Sequence, residues 1–303
     1  MSARDLDAAG ITDPLLRESY ERCRVLNARY GKTYYLATLL LPPERRPYVH
    51  ALYGFARYAD EIVDDLSSTL TDQQKADELG RWGEAFLVDV KNGGSEDPIA
   101  RAVVDTVLRW NIPLEHFEAF LHSMRMDLTV TEYQTYGDLY EYVYGSAAVI
   151  GLQMVPILEP TNDEAYERAK DLGIAFQLAN FIRDVGEDLE RGRVYLPLEE
   201  LERFGVTRAD LETRVVDERL RNALRFQIQR VRDLEAASKH GIDLLAPWSR
   251  PCIDAARILY CGIVDEVERI DYEVFDKRAI VPMHRRLAVA GPAWVKAVRA
   301  RRS

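Results

Sequence analysis

Apolar residues recur along most of the chain at spacings of three and four, mixed with Ala, Leu, Glu and Arg, and show no series of alternating runs bounded by tight turns. That period is helical, so the pattern predicts an all-α fold. Helices are expected to stop at Leu41-Pro42-Pro43, Asn92-Gly93-Gly94-Ser95, Asn111-Ile112-Pro113, Glu159-Pro160-Thr161-Asn162, Arg191-Gly192-Arg193 and Ala246-Pro247-Trp248-Ser249-Arg250-Pro251, where helix-stopping residues cluster. None of these breaks is long enough for an interdomain linker, and there is no fixed-period repeat or low-complexity tract. Residues 1–303 are therefore read as one domain, with 1–15 and 285–303 as loosely ordered ends.

Two stretches depart from plain amphipathicity. At about 100° per residue, Tyr53, Arg57, Asp60 and Asp64 fall within roughly 60° of one another, beside an apolar band of Leu52, Ala56, Ala59 and Val63. Glu61 and Asp65 rotate toward the expected solvent side. About 120 residues later Gln177, Asn180, Asp184 and Asp188 share a face bordered by Ile174, Leu178, Ile182, Val185 and Leu189, with Arg183 flanking it and Arg191, Arg193 and Tyr195 following. Carboxylates at i and i+4 repel, and two unit charges 4 Å apart interact by about 4 kcal/mol at an effective dielectric near 20. Two such pairs facing one cavity call for cations. Magnesium suits them, being hard, oxygen-seeking and usually held by one or two carboxylates plus substrate phosphates. A single DxxxD is what an exposed, salt-bridged helix face would show in a chain with 50 Asp and Glu. Two, each with Arg and an amide or phenol beside it, favour a site.

The formal charge of −10 disfavours a nucleic-acid partner, which needs a basic surface, and leaves an anionic substrate dependent on local cations. Cys23, Cys252 and Cys261 form no CxxC pair, and the five His residues make no zinc signature, so a reducing cytoplasm fits. Gly31-Lys32-Thr33 mimics the end of a phosphate-binding loop, but Leu26 stands where that loop needs glycine. No GxGxxG supports a nicotinamide cofactor. The most apolar run, Ala147 to Leu158, is broken by Gln153 and Pro156 and falls short of the roughly 20 residues a bilayer requires. The last segment sets Arg285, Arg286, Lys296, Arg299, Arg301 and Arg302 beside Trp294, read first as a solvated basic tail and second as a peripheral contact with the inner face of a membrane.

These residues resemble the squalene/phytoene synthase family over most of the chain. The resemblance runs through Gly31 to Ala37, Leu40 to Arg46, the Tyr53–Asp64 motif, Met126-Asp127-Leu128 with Tyr133, Asp138 and Leu139, Tyr142 to Gly151, and most distinctively Gln177 to Pro197. It extends to Tyr260, Val264 to Val267 and Lys277-Arg278. It implies an all-α, isoprenoid-synthase-type helical bundle around a central apolar cavity. It further implies a Mg2+-dependent prenyltransferase, with Mn2+ as substitute, that joins two prenyl diphosphates head to head. Carried over by position, Asp60, Asp64, Asn180, Asp184 and Asp188 would hold the metal; Lys32, Arg57, Gln177, Arg183, Arg193, Lys277 and Arg278 would meet the substrates; Tyr53, Tyr142 and Tyr260 would face the reacting carbons. Gly31 stands where the family often has serine, and Lys277 where arginine is common, which weakens the carry-over for the second diphosphate. The wording of Tyr144 to Leu152 and Tyr272 to Pro282 looks most like bacterial carotenoid-pathway members, so two geranylgeranyl diphosphates giving phytoene is the leading expectation. Synthesis of squalene, dehydrosqualene or presqualene diphosphate from farnesyl diphosphate, and a non-catalytic scaffold, are the rivals. The small residues Gly145, Ser146, Ala147, Ala148 and Gly151 admit two readings, close helix packing and room for a prenyl tail.

Overall fold

The computed structural model describes residues 3–64 and 69–301, except for the side chain of Asp64. Among the described residues the structure is helical, and extended pairing is limited to isolated bridges such as Glu132 with Val194. The helices end where the turn chemistry dictates. Asp72–Asn92 starts on a Thr71–Gln74 capping box and stops at Gly93, whose φ of 81° only glycine adopts freely. Pro98–Trp110 starts on Asp97, whose carboxylate accepts from the amides of Ile99 and Ala100, and stops at Asn111 with φ 48°.

Two long helices carry the acidic motifs. The first, Arg46–Asp64, buries Leu52, Phe55, Ala59 and Val63. Phe55 sits in an aromatic cage, 5.0 Å from Trp82, 4.7 Å from Phe86, 5.0 Å from Phe117 and 5.7 Å from Phe120 between ring centroids, which fixes this helix against Asp72–Asn92 and Glu115–Met126. The second, Glu164–Glu190, buries Ile174, Leu178, Ile182 and Val185 and packs along Glu218–Lys239. Between them the chain from Tyr136 to Leu158 runs as an α-helix, a π-turn at Tyr144–Ala148, a further α-turn and a short 3-10 turn. By length and composition Tyr136–Leu158 would cross a membrane, but its most apolar window is 67% buried in the fold, as a core helix is.

The small residues of this central segment divide between their two readings. A Cβ on Gly145 would lie 2.2 Å from the carbonyl oxygen of Ala119, so this position is fixed by helix contact. Ala148 is fully buried in the core. Ser146, Ala147 and Gly151 line a cavity, and Gly151 also abuts the Ala169 carbonyl. The C-terminal segment differs from expectation: instead of a loose tail it forms a helix, Met283–Ala300, packed on Arg250–Cys261 through Ala293 and Ala297. Arg301 beyond its end donates to the carbonyls of Leu39, Leu40 and Leu41.

Candidate active site

A cavity of about 270 Å³ lies against one side of the Glu164–Glu190 helix, which contributes Ala165, Arg168, Ala169, Leu172, Gly173, Phe176, Gln177 and Asn180 to its wall. From Ala165 to Asn180 a helix advances about 22 Å. The cavity is thus long, and most of its lining is apolar. Gln177, Tyr34 and Tyr260 join Asn180 at one end, and Arg168 and Ser238 are the polar groups of the lining toward the Ala165 end. Asp184 and Asp188 follow Asn180 one and two turns further along the same helix face.

Tyrosines connect this end to the first acidic helix. The ring of Tyr53 lies 6.0 Å from that of Tyr34, and Tyr260 stacks on Phe176 at 4.8 Å. Burial pushes the Tyr53 phenol up to about 12, with the Arg57 charge opposing. Burial also raises Tyr34 and Tyr260, the latter eased by Arg183 and Arg286. All three phenols are neutral near pH 7 and present ring faces without charge. Gly31 explains its own departure from the family's serine: a Cβ there would lie 2.6 Å from the Tyr53 ring and 2.6 Å from Asn27 Oδ1.

Arginines hold the aspartates. Arg57 donates to Asp60 at 2.5 Å and to Glu61 at 3.3 Å, so Glu61 belongs to the same ion-paired group rather than to the open solvent face expected for it. Arg183 grips both oxygens of Asp184, and Arg278 reaches Asp184 at 3.2 Å and Glu187 at 2.9 Å. Among the described residues no three His, Cys, Asp or Glu side chains lie together as a ready ligand set. The Asp64 carboxylate and Asp65 lie outside the described residues. Lys32 and Lys277 are exposed.

Asn180 and Asp188 decide whether these residues suit a divalent cation. The Oδ1 of Asn180 is buried and accepts no hydrogen bond. Burial, then the Asp184 charge, pushes the Asp188 carboxyl up to about 7 against the pull of Arg191 and Arg193. An orphaned oxygen and a carboxylate that resists ionising are both relieved by a hard cation, and the donor set is all oxygen. The residues fit Mg2+ or Mn2+. A pH effect follows for the metal-free protein. Between about 4, the unfolded value, and about 7, the folded chain keeps a proton on Asp188 that the unfolded chain has lost. This group's contribution to stability therefore falls as pH rises through that window. Thermal melts from pH 4.5 to 7.5 should show that decline in wild type and a flatter profile in Asp188→Asn; parallel profiles would refute it.

Tyr142 takes a different place from the one its motif implied. It is buried outside the cavity lining, and its hydroxyl donates to Asp127 at 2.8 Å. Asp127 also accepts from Tyr195 at 3.2 Å, while its backbone carbonyl accepts from Arg193 at 2.8 Å. Asp127 and Tyr34 are the site residues that sequence reasoning gave no role, while Arg286, read there only as part of the basic tail, acts on Tyr260. The only signal for them lay in the Met126-Asp127-Leu128 and Tyr34-Tyr35 wording, since their partners are distant along the chain.

A family profile described as squalene/phytoene synthase matches residues 27–285. The chain belongs to the squalene/phytoene synthase family. It is 39% identical over 294 residues to the 15-cis-phytoene synthase of Synechococcus elongatus, covering 93% of this chain and 94% of that protein. It is 39% identical over 290 residues to phytoene synthase 1 of Arabidopsis thaliana, covering 94% and 68%. Among solved structures, a dehydrosqualene synthase with bound ligand superposes with TM-score 0.84 at 26% identity over 94% of this chain and 98% of that one. A squalene synthase from Alicyclobacillus acidocaldarius gives 0.80 at 26% identity over 88% and 98%. Family membership makes the chain an enzyme of prenyltransferase type, and the helical architecture is the all-α isoprenoid synthase fold.

Proposed function

We propose that this family member condenses two geranylgeranyl diphosphates, head to head, into phytoene, using a single domain over residues 1–303. The observation that carries the reading is a long apolar cavity whose polar end adjoins an acidic, arginine-held turn, a shape matched to a hydrocarbon with a diphosphate head. The phytoene synthases among its relatives support the choice of substrate. Asp60, Asp64, Asn180, Asp184 and Asp188 would hold Mg2+, which when bound supplies positive charge for the departing diphosphate.

The remaining work falls to the chain. Arg57, Arg183, Arg193 and Arg278, with Lys32 and Lys277, neutralise diphosphate oxygens as the allylic C–O bond breaks. The neutral faces of Tyr34, Tyr53 and Tyr260 stabilise the allylic cation, and the apolar wall keeps water from quenching it. The cation then adds to the double bond of the second chain, and loss of a proton closes a cyclopropyl diphosphate; this ionises, rearranges and loses a second proton. The location this reading carries is the cytoplasm, with peripheral contact at the inner face of the membrane.

Purified protein incubated with geranylgeranyl diphosphate and Mg2+ should yield a C40 hydrocarbon, and a chelator should abolish it. A C30 product from farnesyl diphosphate, with the C20 substrate unused, would transfer the reading to the dehydrosqualene and squalene synthases. Leu172 sits midway along the cavity. Leu172→Trp should lower kcat/KM for the C20 substrate relative to the C15 substrate by about tenfold or more, since a filled pocket rejects the longer chain.

A further inference from the structure

Asp127 closes the Glu115–Met126 helix and meets two other parts of the chain at once. Its carboxylate accepts from Tyr142, on the central segment, at 2.8 Å and from Tyr195, in the loop after Glu190, at 3.2 Å. Its main-chain carbonyl accepts from the Arg193 guanidinium at 2.8 Å. The Tyr195 ring in turn stacks on Phe181 at 4.1 Å with the planes 3° apart, and Phe181 follows Asn180 on the second acidic helix. Arg193 lies at the foot of that helix. Its amide donates to the Asp188 carbonyl at 2.8 Å, and Asp188, Arg193, Tyr195 and Phe181 wall one small cavity of about 10 Å³. Burial, then the Asp127 charge, raises the Tyr195 phenol, with Arg193 opposing. Asp127 itself does not line the long apolar cavity.

We propose that Asp127 is a positioning residue that aims the Arg193 guanidinium at a substrate diphosphate, acting through Tyr195 and Arg193 without touching the substrate, a role that rests on the prenyl diphosphate reading above. The Tyr142 bond holds the carboxylate from the central segment, so Tyr195 meets a fixed acceptor. Arginine carries much rotamer entropy, and a guanidinium placed beforehand loses less of it on meeting phosphate. The charge matters as well as the shape, because phenol donors bond more strongly to a carboxylate than to a neutral amide. The loop backbone has ties of its own: the Val194 amide donates to the Thr131 carbonyl at 2.8 Å and the Leu198 amide to the Tyr133 carbonyl at 3.0 Å. Neutralising Asp127 therefore releases side chains and leaves the loop in place.

Calorimetric titration of the full chain with inorganic diphosphate, at fixed Mg2+, tests this without turnover. Asp127→Asn should weaken diphosphate binding about tenfold or more while circular dichroism and melting temperature stay near wild type. Arg193→Gln should weaken it at least as much, and the double variant no further than Arg193→Gln alone, because two residues that act through one group do not add. If Asp127→Asn misfolds, Tyr195→Phe, which removes one of the two phenol bonds, should move the affinity the same way and show the same non-additivity with Arg193→Gln. Unchanged diphosphate affinity in Asp127→Asn and Tyr195→Phe, or losses that multiply in the double variant, would overturn the proposal and leave Asp127 a structural brace. Since no hydrocarbon has to form, a wild type that made no C40 product would sink the proposed reaction while this cycle still decided for or against Asp127.

Discussion

Asp184→Asn should lower turnover by about 1,000-fold while leaving helical content unchanged. The substitution keeps the shape of the side chain and removes the charge that both Arg183 and Arg278 grip and that a divalent cation would need. Asp184 lies one turn beyond Asn180, whose buried, unbonded oxygen points to the same ligand position. Steady-state rates at saturating Mg2+, with circular dichroism as the folding control, measure the effect. A loss smaller than tenfold would remove Asp184 from the chemistry and, with it, the case for the second acidic motif.

Gly145→Val should produce the largest loss of stability among single changes in the central segment, about 3 kcal/mol or more. A Cβ there would meet the carbonyl oxygen and carbon of Ala119 at 2.2 and 2.9 Å and the Ser123 hydroxyl at 2.2 Å. Backbone cannot yield as a side-chain tip can. The clash would also disturb the buried Ser123 hydroxyl, which donates to the carbonyl of Tyr142 at 2.9 Å and so ties Glu115–Met126 to the segment carrying Tyr142. Denaturant unfolding checks the figure, and a midpoint unchanged from wild type would mean the two helices separate without cost. Gly94→Ala, in an exposed loop where nothing lies within 4 Å of the added Cβ, is the matched control.

Both acidic helices and the helix breaks at 41–43, 92–95, 111–113, 159–162, 191–193 and 246–251 were legible in the sequence, because periodicity and capping are local. The breaks at 127–135, 203–207, 213–217 and 270–282 were not. Thr71, Gly93, Asp97 and Asn111 announce their roles within four residues of themselves. The partners of the site residues were not legible. Asp127 receives Tyr142 from 15 residues away and Tyr195 from 68, and no spacing rule reports that. Glu61 looked solvent-facing on a helical wheel, yet Arg57 reaches one turn along the same helix to hold it. The C-terminal basic run read as a loose tail because its cations dominate the composition. Its alanines, Ala293 and Ala297, are what seat it on the bundle, and small residues leave a weak hydrophobic signal.

The pairing of Arg57 with Asp60, and of Arg183 and Arg278 with Asp184, bears on the order in which ligands arrive. Each carboxylate already owns a counter-ion, and each guanidinium an anion, so a divalent ion alone must evict an arginine and a diphosphate alone must evict an aspartate. Supplied together, they trade places with those pairs: oxygen ligands pass to the metal as freed guanidinium groups pass to phosphate. Calorimetry should accordingly find weak uptake of either one separately and strong mutual enhancement when both are present, a logic gate written in ion pairs.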